Sequence, residues 1–114
     1  MLNLRYYPDE DDNGVVLRKV YVIQGKDIDG NPIDRTVTDA HFKIAIDGVE
    51  IVDLSLGNGL SWDDTTKALT LMLTNSELAE VVESTDGDYQ LYITIETGRI
   101  ITLFAGRAYL EIAL

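Results

Sequence analysis

Apolar and polar residues alternate with the period of a β-strand through most of this 114-residue chain, which predicts strands in preference to helices. The clearest run is TDAHFKIAIDG (38–48), with Ala40, Phe42, Ile44 and Ile46 on one face and His41, Lys43, Ala45 and Asp47 on the other. This is the pattern of a half-buried antiparallel strand with Phe42 as a core anchor. Asp47-Gly48 predicts a hairpin turn, and VEIVDLSL (49–56) the return strand. ALTLMLT (68–74) places Leu69, Leu71 and Leu73 together, and in 86–98 Tyr89, Leu91, Ile93 and Ile95 alternate with Gln90, Tyr92, Thr94 and Glu96. VVLRKVYVIQG (15–25) is rich in β-branched residues, and its more apolar face (Val15, Leu17, Lys19, Tyr21, Ile23) is assigned to the core. Shorter strands are predicted for Leu2, Leu4 and Tyr6, ended by Pro8, and for GLSWDD (59–64), which holds Leu60 and Trp62.

Two stretches depart from simple alternation. After 74, Asn75 or Ser76 is placed to cap a short helix near 75–82, with Leu78, Val81 and Val82 on one apolar stripe. The last run, RIITLFAGRAYLEIAL (99–114), would be about 50 Å long as one strand. One face carries Ile100, Phe104, Ala108, Leu110, Ile112 and Leu114; the other carries Ile101, Leu103 and Ala105, then Arg107, Tyr109 and Glu111. A bend or bulge near Gly106 is expected to divide it into two strands. Both faces are apolar over 100–105, as in a central strand or one covered by a partner. Seven to eight strands joined by short turns predict one all-β domain over 1–114, an antiparallel immunoglobulin-like β-sandwich, with a closed barrel as the alternative.

Charge narrows the partners. Twenty acidic residues against nine basic ones give a net charge of −11, a surface that repels nucleic-acid phosphate and anionic lipid. No nucleic-acid or membrane partner is expected. No apolar run is long enough for a membrane span, and MLNLRYYPDEDD lacks the basic-then-apolar pattern of a signal peptide. Cysteine is absent, so no disulfide or thiolate metal site enters the argument.

Catalytic chemistry finds little to build on. His41 is the one histidine, in mid-strand on a polar face, and no G-x-S-x-G or phosphate-cradling loop occurs. No enzyme activity and no cofactor are expected. The acidic pairs Asp27/Asp29, Asp63/Asp64 and Asp86/Asp88 all fall in predicted turns, where Asp is favoured for turn chemistry. Asp27, Asp29 and Asn31 have the spacing of half a calcium loop, but the position needing a bidentate Glu is Thr38 and no helices flank it, so they are weak calcium candidates. The acidic run 9–12 is read as a solvated turn. Candidate contact residues are Trp62, Tyr92 and Tyr109, with Ile101 and Leu103 from the apolar stretch. Tyr92 and Tyr109 fall on the polar faces of neighbouring strands, where they are candidates to pair.

Four consecutive segments carry a resemblance: DIDGNPID (27–34), AHFKIAIDG (40–48), VDLSLGNGLSWDDTTKALTLMLT (52–74) and ELAEVVESTDGDYQLYITIETGRIITLFAGRAYLEI (77–112). In order and spacing they resemble small phage virion domains, the immunoglobulin-like N-terminal domain of baseplate upper proteins and related tail or fibre-attachment proteins. The carriers are mostly turn glycines and core apolars, among them Gly87, Tyr89, Tyr92, Gly98 and Gly106. The chain departs from that pattern at Arg35-Thr36-Val37, where the family has Leu-Thr-Gly, and in a long loop before Gly87. The resemblance implies a non-enzymatic connector or attachment module in tail, baseplate or fibre. It implies other virion proteins as partners, an oligomer or assembly component, and residence in the virion or in host cytoplasm during assembly. The alternative from residue chemistry is a carbohydrate-binding or adhesin-like sandwich, calcium-assisted, using Trp62 and the tyrosines.

Overall fold

The computed structural model describes residues 1–8 and 14–113, so the acidic turn expected over 9–12 and the placement of Leu114 lie outside the described residues. The strands are β1 (Leu2–Tyr6), β2 (Val15–Val22), β3 (Gly25–Lys26), β4 (Pro32–Ile33), β5 (Val37–Ile46), β6 (Val49–Leu56), β7 (Gly59–Asp63), β8 (Ala68–Thr74), β9 (Thr85–Ile95) and β10 (Ile100–Ile112). Eight of them form one sheet in the order β1-β10-β9-β5-β6-β7-β8-β2, while β3 and β4 make a separate small ladder. Pairing is antiparallel except between β1 and β10 and in the short β6–β7 link. The outermost strands, β1 and β2, come side by side without forming a ladder, so the sheet curls into a nearly barrel-like wrap. At the opposite corner only Ser55↔Gly59 and Leu56↔Leu60 join β6 to β7.

Alternation translates directly into burial. Ala40, Phe42 and Ile44 of β5, Val52 and Leu54 of β6, Leu69, Leu71 and Leu73 of β8, and Leu91, Ile93 and Ile95 of β9 are all buried. Each of the larger side chains in this set, Ala40 aside, contributes about 1.5–3 kcal/mol by leaving water. The hairpin turn uses Asp47 and Gly48 at φ 51° and 79°, the left-handed pair that matches strand twist. At Gly87 a Cβ would lie 2.7 Å from the Ala45 carbonyl oxygen, so only glycine lets β9 lie this close to β5. On β2, a bulge between Val15 and Leu17 exposes Val15 and packs Val16 on the core beside Leu17, Tyr21 and Ile23.

The helix expected near 75–82 is only a 3-10 turn, Asn75–Leu78. Ala79 and Val81 continue with i→i+3 bonds to Ser76 and Leu78, Leu78 and Val81 are buried, and Val82 is exposed. Thr74 holds the N-cap position and makes no side-chain cap bond, and Asn75, the first residue of the turn, uses its side chain elsewhere. Tyr7 N–H donates to Asn75 Oδ1 at 2.9 Å, and Asn75 Nδ2 donates to the Tyr7 carbonyl at 2.7 Å. Asn75 N–H donates to the Gly14 carbonyl at 2.8 Å. A buried amide side chain thus stands in for a peptide unit and clasps the chain at one end of the β1–β2 seam.

The final run is a single strand, and its irregularity falls between Thr102 and Phe104 instead of near Gly106. The extra residue, Leu103, shifts the faces. Ile101 opposes inward Ile93, Phe104 opposes inward Leu91, and Ala108 and Leu110 are buried further on. Ile101 and Leu103 therefore pack half-buried against the core instead of standing on an outer face.

Candidate interaction surface

A strand inside a sheet has a partner on each side; β10 has two for only part of its length. It pairs with β9 from Ile100 to Leu110, but with β1 only from Ala108 to Ile112. Burial follows this division: Ala108 and Leu110 are buried, whereas Ile100 (66% exposed), Thr102, Phe104 (46%), Ala105, Gly106 and Arg107 are exposed. Among the described residues no backbone ladder covers the second edge of 100–107. β2 likewise pairs only with β8, and its other edge faces the same opening. The two edges meet through one aromatic contact, Tyr21 with Phe104, ring centroids 5.1 Å apart.

Beneath that contact lies an apolar slot of about 290 Å³ lined by Leu2, Leu17, Lys19, Tyr21, Phe42, Leu71, Tyr89, Leu91 and Phe104. Burial pushes the Tyr21 hydroxyl pKa up, and neighbouring Tyr89 adds to the shift. Lys19 is the one charged side chain lining the slot. It has no ion-pair partner among the described residues, and neither do Arg18 and Arg99. Lys19 thus sets a single positive charge at this opening in a chain of net charge −11.

The other sequence-derived candidates are dispersed. Trp62 is half-buried on β7 opposite Leu69, packs against the core, and donates from Nε1 to Asp64 Oδ1 at 3.3 Å. Its indole is not a free-standing stacking platform. Tyr92 lies on the outer face of β9 opposite Thr102 and stacks on His41 at 5.3 Å, with Lys43 Nζ 5.9 Å from its ring centre. Tyr109 lies opposite Asp86, so Tyr92 and Tyr109 do not pair. Tyr109 instead lines a separate groove of about 500 Å³ outside β1, with Asn3, Arg5, Tyr7 and Glu111.

His41 sits between two carboxylates, Nδ1 3.0 Å from Asp53 and Nε2 3.3 Å from Asp39. The hydrogen bond from His41 is the leading reason the Asp53 pKa lies below its ordinary value. Ser55 is opposite His41 across the ladder, but both ring nitrogens face carboxylates. The arrangement lacks the free imidazole nitrogen that serine activation requires.

Of the weak calcium candidates, Asp27 is engaged in its own turn. Its Oδ1 accepts from Asp29 N–H at 2.9 Å and Asn31 N–H at 2.8 Å, and Oδ2 accepts from Asn31 Nδ2 at 3.3 Å. The backbone bond from Asn31 is the leading cause that holds the Asp27 pKa low. Asp29 and Asn31 are exposed. No group of three or more His, Cys, Asp or Glu converges among the described residues. Among the described residues no helix is long and apolar enough to cross a membrane.

Sequence reasoning pointed to 100–105 but assigned its faces wrongly, because one bulge residue inverts them. It missed Lys19 as a slot residue and Asn75 as a clasp, and the only signals were a charge on an apolar face and a competing cap. No protein-family model matches the chain, and neither a curated protein nor a solved structure matches it.

Proposed function

We propose that this chain is a non-enzymatic structural protein of a phage or prophage particle, a connector or attachment module in tail, baseplate or fibre. The carrying observation is the uncovered 100–107 edge of β10, flanked by exposed Ile100 and Phe104. An isolated soluble domain shields such an edge because it templates strand pairing; an assembly component uses it. The resemblance of 27–112 to virion domains supports the same reading. In this reading the curled sheet is a flattened immunoglobulin-like sandwich, β1-β10-β9-β5-β6 against β7-β8-β2, in keeping with a molecule 51 × 26 × 20 Å across. The partners are other virion proteins or further copies of the chain, and the location is the particle.

The test is mass spectrometry of gradient-purified particles from a host carrying the gene. Recovery of the chain in stoichiometric ratio to a tail or baseplate protein is expected. Intact, infectious particles that lack it would sink the proposal.

A further inference from the structure

The open half of the β10 edge, the slot beneath it and the Lys19 charge in its lining lie together at one opening. β1 covers β10 in parallel register over Ala108–Ile112 only, Leu2 opposite Ala108 and Tyr6 opposite Ile112. An extended segment laid along 100–107 would continue the line of β1 and complete the ladder that β1 begins. Its inward side chains, every second residue, would enter the slot among Leu17, Tyr21, Leu71, Leu91 and Phe104. One of them would meet Lys19, the single charge in that lining.

We propose that this opening is a strand-acceptor site for an extended segment of a partner protein, apolar at alternate positions and carrying one inward carboxylate for Lys19. The proposal rests on the assembly reading above and specifies its contact. Main-chain bonds to the 100–107 edge supply affinity, and the slot supplies specificity. The carboxylate follows from charge complementarity: the Lys19 ammonium, exposed and without an ion-pair partner among the described residues, would be desolvated by an all-apolar occupant and repels a basic one. A second copy of this chain is the less fitting occupant, because two bodies of net charge −11 repel.

The probe is a synthetic peptide as long as the 100–107 stretch, with Val inward, Thr outward and one inward Val replaced by Asp. Hydrogen exchange of the full chain is followed with and without it. Protection of 100–107 by about tenfold or more is expected, with no change at the β5–β6 hairpin. The same peptide N-methylated on its edge-bonding residues should give none. Lys19→Glu should weaken the Asp peptide about tenfold and favour a Lys-for-Asp peptide. Lys19 is exposed, so this variant is expected to fold; its unchanged thermal unfolding would show that it does.

No protection by the Asp peptide, or equal protection by the N-methylated one, overturns the site. Indifference to Lys19→Glu overturns the carboxylate. Protection of 100–107 that rises with the chain's own concentration reassigns the occupant to a second copy. The two proposals fail separately. Peptide protection with the chain absent from particles rejects the assembly reading alone. Incorporation unaffected by Lys19→Glu, with no peptide protection, rejects the acceptor site alone.

Discussion

Replacing Asn75 by alanine removes the clasp at the end of the β1–β2 seam. Asn75 is 2% exposed, and its amide makes two bonds to the Tyr7 main chain, at 2.9 and 2.7 Å. A hydrogen bond of this kind contributes about 0.5–1.5 kcal/mol net, and a polar group left dry costs about 1–3 kcal/mol. Tyr7 is half-buried, so water reaches only part of what the amide satisfied. The expected loss is about 2–3 kcal/mol, which lowers Tm by roughly 6–12 °C for a domain of this size. Urea unfolding should show a lower midpoint at constant slope, since the folded state stays compact. Asn75→Asp sharpens the test. Its carboxylate keeps an acceptor for Tyr7 N–H but sets a second oxygen against the Tyr7 carbonyl. Relative to the parent chain it should be at least as damaging as alanine at pH 7 and should recover in acid, where the new carboxyl can donate. A loss under about 0.5 kcal/mol for Asn75→Ala, or an Asn75→Asp deficit independent of pH, would refute the clasp.

Three further outcomes are expected. Gly87→Ala drives a Cβ to 2.7 Å from the Ala45 carbonyl and should cost about 1–3 kcal/mol by chemical denaturation; a neutral result would mean β9 and β5 separate freely there. Leu71→Ala, at a residue 1% exposed, should cost about 2–5 kcal/mol, whereas Val82→Ala, at a residue 88% exposed, should stay within about 0.5 kcal/mol in the same assay. Asp27, Asp53, Asp64 and Glu96 all have folded-state pKa values below their ordinary ones, so their stabilisation is present above about pH 4 and is lost as pH falls further. Glu96 accepts from Thr36 N–H and Arg35 at 3.0 Å each, and Glu96→Gln should flatten the fall of Tm between pH 5 and pH 3 (about one pH unit either side of the carboxylate range); an unchanged slope would exclude it as a contributor.

The strands were legible in the sequence because alternation is a local property that any half-buried sheet imposes. Phe42 was expected in the core, Leu69, Leu71 and Leu73 were grouped on one face and Leu91 and Ile93 on another from period alone, and all are buried. The Asp47-Gly48 hairpin was equally local, since its chemistry fixes positive φ. The 75–82 helix failed because its cap residue had a distant partner, Tyr7, that outbid the local one. The grouping of Phe104, Ala108, Leu110 and Ile112 on one face holds, but the faces of 100–103 failed because a single extra residue at Leu103 reverses alternation, and a two-sided apolar run conceals where the extra residue sits.

What the sequence determined alone was an acidic all-β chain and the alternation that groups the core-facing residues of most of its strands. Which strand lies beside which was decided only in the tertiary structure. β1 joins β10 from the far end of the chain and runs parallel to it, Leu2 opposite Ala108 through Tyr6 opposite Ile112. Among the described residues the β10 edge over 100–107 has no ladder partner, and Lys19 of β2 lines the slot beside it, the opening on which the functional reading rests. Pairing and register are relations between distant segments, settled by the packing of the whole sheet, and no window of neighbouring residues encodes them.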